Sequence, residues 1–134
     1  MGWYLVAFKK YAVFSGRSSR KEFWYFVMGN MVVNLLLSLL FFVQSFLSKS
    51  LITLDQLMIV VLAFNLLTLS PSIGVCIRRL HDINRSGWFI FLNVIPVFGA
   101  LLLIFLLSLE GSIGDNRFGE DPSWITSRSA PITI

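Results

Sequence analysis

Arg78-Arg79-Leu80-His81-Asp82-Ile83-Asn84-Arg85-Ser86-Gly87-Trp88 lies between two long uncharged runs and carries three arginines, an aspartate and the only histidine of the chain. A charged side chain at the centre of a bilayer costs about 2.5–3.5 kcal/mol on insertion scales. If the flanking runs sit in lipid, this stretch must lie at a membrane surface. Its placement then decides how often the chain crosses and on which side the remaining charge falls.

The flanking runs do read as lipid-embedded. The chain has 134 residues, 56% hydrophobic and 13% charged, with a mean hydropathy of +0.78 and a formal net charge of +4. Soluble domains carry about 25% charged residues, so much of the usual polar coat is missing. Three uncharged runs, 23–47, 57–77 and 87–109, hold 25, 21 and 23 residues. At about 1.5 Å per residue, each exceeds a hydrocarbon core of roughly 30 Å. Helices are required, because backbone polar groups in lipid must be satisfied within the segment. The basic stretch before Phe23 is too long for a cleavable leader, so the first span is expected to act as a signal anchor. One cysteine, Cys76, excludes a disulfide framework within the chain and reads as a small core residue.

Residues 3–14 are too short to span. On a helical wheel Trp3, Tyr4, Ala7, Phe8, Tyr11 and Phe14 gather on one side, with Lys9 opposite. The pattern predicts an amphipathic helix in the membrane surface. Ser19 with Glu22 and Thr53 with Gln56 form S-x-x-E and T-x-x-Q capping boxes, and Ser86 is an N-cap for the third run.

Lys and Arg set the orientation. Residues 1–22 and 78–86 together carry eight, whereas 48–56 and the segment from Glu110 carry three. This predicts a cytoplasmic N-terminus and a C-terminus outside, across three spans. Pro96 and Gly99 interrupt the third run at its middle. A kinked span is the preferred reading. The alternative is a re-entrant hairpin that returns the tail beside Arg78–Arg85. Pro71 predicts a kink in the second span. The expected architecture is all-α: an interfacial helix and three transmembrane helices in a single membrane domain, 1–122. It includes a turn-rich segment at 110–122, followed by a disordered tail at 123–134.

Arginine forks match phosphate oxygens, and cations near an anionic leaflet contribute about 1 kcal/mol each. Arg17, Arg20, Lys21, Arg78, Arg79, His81, Asp82, Arg85 and Trp88 are therefore candidates for binding anionic headgroups or a partner. The plainer reading makes them topology signals, with Asp82 pairing an arginine and Trp88 anchoring the interface. His81 and Asp82 point apart on a helix with no nucleophile beside them, so no catalytic dyad is expected. Too few ligands gather for a metal. Asn34, Asn65 and Asn93, one per run, are candidate interhelical hydrogen bonders. Asn116 and Asp121 belong to a glycine-rich turn motif that resembles neither a calcium loop nor a phosphate loop.

Gly16-Arg17-x-x-Arg20-x-Glu22-Phe23-Trp24, the Arg78–Trp88 block, Pro96-x-x-Gly99 and Gly111-x-x-Gly114-x-Asn116-x-Phe118-Gly119-x-Asp121-Pro122 occur in this order. Together they resemble the domain-of-unknown-function 805 family of small bacterial inner-membrane proteins, over roughly residues 3 to 122. The resemblance implies a multi-pass protein of the bacterial cytoplasmic membrane and supplies no activity, substrate or cofactor. The expected function is non-enzymatic: an interaction or anionic-lipid-associated protein whose partner is the bilayer rather than nucleic acid. The alternative is a small homo-oligomeric channel or transporter.

Overall fold

The computed structural model describes residues 2–46 and 53–122. The end of the first run at Leu47, the loop residue Lys49 and the expected disordered tail at 123–134 lie outside the described residues. The elements are α1 (Gly2–Lys9), α2 (Arg20–Phe46), α3 (Leu54–Asp82), a 3₁₀ helix (Gly87–Val94) and α4 (Phe98–Ser108). Among the described residues there is no strand, only an isolated bridge between Asn116 and Gly119.

Two helices are long and apolar enough to cross a membrane, with 27 and 29 residues. At about 1.5 Å per residue they measure roughly 40 Å and 43 Å. At the start of α3 the Thr53–Gln56 capping box is complete in both directions. At the start of α2 only half of the expected box forms. Ser19 Oγ accepts from the Glu22 amide at 3.2 Å, while the Glu22 carboxylate turns to Arg78. The α3 helix runs unbroken through Pro71, which is buried. It stops at Asn84, whose φ of 57° sets a left-handed cap. There the Arg85 amide donates to the Leu80 carbonyl at 2.9 Å and the Asn84 amide to His81 at 3.0 Å.

The first helix is shorter than the expected 3–14. Reverse turns close from Tyr11 to Phe8 and from Val13 to Lys10, leaving Tyr11 and Phe14 beyond the helix and exposed. Its apolar face packs on α2 rather than only facing lipid. Ala7 is buried, and the Tyr4 ring stacks 5.6 Å from Phe26. Gly29 permits this approach, since a Cβ there would collide with the Tyr4 ring.

The third run is not one helix. The 3₁₀ helix and α4 have 8 and 11 residues, and each is only about 16 Å long at their respective rises. Between them Phe98 N donates to Pro96 O at 2.7 Å, a γ-turn that places Val97 at φ 62° and ψ −67°. Gly99 then sits directly against the Leu92 carbonyl. Gly87 begins the segment against Ile77 and His81, and the Leu109 carbonyl at its end accepts from Arg79. Both ends therefore meet at the same end of α3. The preferred kinked span gives way to the hairpin, because Pro96-Val97-Phe98 reverses the chain completely.

The core lies at this end too. Ala7, Phe23, Phe26, Val75, Leu80, Leu103 and Leu107 form one buried cluster, with Cys76 packed at its edge. Farther along, α2 and α3 leave most of their surface exposed and are joined by Asn65 Nδ2 donating to Asn34 Oδ1 at 3.2 Å. Asn93 does not join this pair. It lies exposed on the 3₁₀ helix, in a different groove.

Candidate functional site

The last turn of α3 is the centre of a buried polar hub. Arg79 is fully buried and uses its whole fork: Nε donates to Leu107 O at 2.9 Å, Nη1 to Asp82 and Nη2 to Leu109 O. It thereby satisfies the carbonyls left free at the end of α4, where a cation also meets the negative end of the helix dipole. Arg78, one residue earlier, points elsewhere. Its Nη1 donates to Lys10 O at 2.9 Å and Val13 O at 2.7 Å, and its Nη2 pairs with Glu22 at 2.9 Å. Each arginine fastens the end of a different short segment onto α3.

Asp82 is shared. Its second oxygen receives Arg17 Nε at 2.9 Å, and the Arg17 fork continues to the carbonyls of Ser112 and Gly114. Segment 110–122 closes over this centre. Ser112 donates its amide to Asp82 O at 2.8 Å, and Gly111 lies so close to the Asp82 carboxylate that a side chain would collide. Asn116 Nδ2 donates to His81 O and Ser112 Oγ, both at 2.9 Å. Asp121 accepts from the Gly114 amide at 2.9 Å. His81 Nδ1 lies 3.2 Å from Gly16 O, and its ring stacks on Phe118 at 4.0 Å. Arg117 covers the other side of Phe118 at 4.6 Å.

The buried set balances in formal charge. Arg17, Arg78 and Arg79 are matched by Glu22, Asp82 and Asp121, all less than a tenth exposed. Burying one such ion costs several kcal/mol, which only close partners offset. Arg17, Arg78, Arg79 and Asp82, read from sequence as candidates for headgroups or a partner, thus find their partners inside the chain. Arg20, Lys21, Arg85 and Trp88 remain exposed around the rim. Arg20 makes a surface pair with Glu110 at 2.8 Å, and Trp88 stacks on Phe91 at 5.4 Å. No bond joins His81 to Asp82: the imidazole is held by Gly16 and Phe118, and the carboxylate by two arginines. Sequence reasoning missed Glu22 as a buried counter-ion, because it also reads as a helix cap. It also missed Gly111, Ser112 and Phe118, whose one visible signal is their place in the turn motif.

Segment 110–122 thus lies on the same end as α1 and the α1–α2 linker, against the expected separation of N- and C-terminal segments. This hub is built from residues spread over most of the chain. The family model described as a protein of unknown function, DUF805, matches residues 11–120. The chain belongs to the DUF805 family. That match includes the hub side chains from Arg17 to Phe118 and stops one residue before Asp121. The DUF805 chain is 38% identical over 124 residues to the inner membrane protein YhaI of Escherichia coli strain K12, covering 92% of this chain and 98% of that protein. It is 36% identical over 131 residues to the inner membrane protein YhaH of the same strain, covering 91% and 97%. No solved structure matches it.

Proposed function

We propose that this protein is a non-enzymatic, anionic-lipid-associated component of the bacterial cytoplasmic membrane. In this reading α2 and α3 cross the bilayer, and the 3₁₀ helix and α4 dip into one leaflet and return. The hub sits at the cytoplasmic face. One observation carries the reading: every Lys and Arg among the described residues lies at the hub end. Three of these are neutralised inside, and Lys9, Lys10, Arg20, Lys21, Arg85 and Arg117 form an exposed collar. Only Glu110, Asp115 and Glu120 stand among them as exposed acids. The positive-inside rule assigns such an end to the cytoplasm, where the leaflet is anionic. The inner-membrane naming of the relatives supports the location.

Brominated lipids test this, because Trp24 and Trp88 are exposed at the collar level. In reconstituted protein, brominated phosphatidylglycerol should quench tryptophan more than brominated phosphatidylcholine of equal depth. The combined variant Lys9→Gln, Lys10→Gln, Arg85→Gln, Arg117→Gln should reduce that preference. Equal quenching by the two lipids in the unmodified protein removes the reading.

A homo-oligomeric channel or transporter is the second reading. It is supported by Asn34, Ser38 and Asn65, which line an otherwise apolar groove between α2 and α3. Solute flux into liposomes would favour it, and a strictly monomeric protein in lipid would sink it.

A further inference from the structure

Among the described residues, three largely apolar grooves flank the long helices, and of these three one has cations at its mouth. A further, polar pocket over the hub holds Arg17, Arg20 and Arg79 together with Asp82, Glu110 and Asp121. The groove beside Trp88, Phe91 and Asn93 has His81 as its one titratable group, and the groove at Asn34 and Asn65 has none. The third, of about 560 Å³, is lined by Arg20, Lys21, Trp24, Tyr25 and Met28 of α2 and by Ser108 at the end of α4. Positions 20, 24 and 28 repeat every four residues, so they share one helix face. From Arg20 to Met28 the axis descends about 12 Å. That is the distance from a headgroup phosphate into the upper acyl region. The sequence of side chains follows the same descent: two cations, then an indole and a phenol, then a thioether. Trp24 is held edge-on by Phe23 at 5.3 Å, so the wall is braced.

We infer that this groove binds one anionic phospholipid per chain. The phosphate lies on Arg20 and Lys21, the glycerol region against Trp24 and Tyr25, and an acyl chain along Met28. Charge complementarity selects the occupant, and the apolar lower half requires a chain that a free phosphate lacks. Glu110 is the competing group. It pairs with Arg20 in the open, with its own side chain 84% exposed, and exposed pairs of this kind are weak. A lipid phosphate takes Arg20 from it. The inference rests on the proposed headgroup reading and narrows it to one place.

Native mass spectrometry of the full chain in detergent tests it, with phosphatidylglycerol and phosphatidylcholine of identical acyl chains as probes. One phosphatidylglycerol should be retained about 30-fold more strongly than phosphatidylcholine, a factor of about five for each cation. Arg20→Gln with Lys21→Gln should bring the two lipids to parity. Glu110→Gln should raise retention about two- to fivefold, because the internal competitor is gone. The collar variant of Lys9, Lys10, Arg85 and Arg117 should leave this retention unchanged. Equal retention of both lipids, or no response to the Arg20 and Lys21 substitutions, overturns the inference. So does displacement of the lipid by millimolar inorganic phosphate. Bromolipid preference that persists without single-lipid retention rejects the groove and leaves the headgroup reading standing. Retention that responds to Arg20 and Lys21, with a bromolipid preference that the collar variant leaves unchanged, upholds the groove and removes the collar from the headgroup reading.

Discussion

Arg78 and Arg79 are sequence neighbours with separate duties, because successive residues on a helix diverge by about 100°. Arg78 serves the end of α1 and Glu22, whereas Arg79 serves the end of α4 and Asp82. The two carboxylates are not equivalent. Glu22 pairs with one arginine, which keeps two carbonyl acceptors if the charge is lost. Asp82 gives one oxygen to Arg17 and the other to Arg79. An asparagine there would turn an NH₂ group toward one guanidinium. Breaking a buried pair from one side costs about 3–5 kcal/mol. Asp82→Asn should lose stability on that scale, and Glu22→Gln about 1–2 kcal/mol, since its remaining oxygen still accepts. Thermal unfolding in detergent, followed by circular dichroism, checks the order. Equal losses would show that the shared aspartate is not the central joint.

At the scale of elements, the long helices were legible because length, hydropathy and caps agree on them. Thr53 with Gln56 marks the start of α3 as expected. Its end lies beyond the expected 57–77 run: residues 78–82, read as part of a loop, form its last turn. Asn84 at positive φ, which no sequence signal marked, stops it. The third run was not decided by its residues. Twenty-three uncharged positions favour a kinked span by their length, yet they also fit a hairpin, and Pro96 and Gly99 are compatible with both. What closes the hairpin is largely backbone: the carbonyls of Leu92, Leu107 and Leu109. Carbonyls have no residue type to read. The hub was half legible for the same reason: its arginines stand out, while the acceptors at Lys10, Val13, Ser112 and Gly114 do not. The turn itself makes a prediction with two signs. A β-branched residue at positive φ is strained by about 1–3 kcal/mol, so Val97→Gly should be neutral or stabilising by about 1 kcal/mol once chain entropy is included. Gly99→Ala should destabilise by about 1–3 kcal/mol, because its methyl meets the Leu92 carbonyl, which cannot rotate away. Melting temperatures of the two variants in one detergent decide this. A stabilised Gly99→Ala would mean the hairpin is not this tight.

For the whole molecule, charge and most of the packing among the described residues are concentrated at one end. In the opposite half α2 and α3 are largely exposed, joined by the Asn34–Asn65 bond and with Leu57 buried near the start of α3. A hairpin of two roughly 16 Å helices reaches about half of a 30 Å hydrocarbon core. Its polar turn at Pro96–Val97 would then lie at mid-depth, where irregular backbone survives only under cover. Gly99 packed on Leu92, with Leu103 buried in the core, supplies that cover on one side. The proposed topology places segments 10–19 and 110–122 in the cytoplasm and Thr53 outside. Single cysteines on a Cys76→Ala background test it at exposed sites, namely Ser15→Cys, Ile113→Cys and Thr53→Cys. In spheroplasts an impermeant maleimide should label Thr53→Cys alone, and in inverted vesicles it should label the other two. Ile113 is 98% exposed, so its labelling is limited by sidedness and not by packing. Labelling of Ile113→Cys from outside would mean that the third run crosses. The hub, which needs Ser112 against Asp82 and Arg79 against Leu109, could not then form.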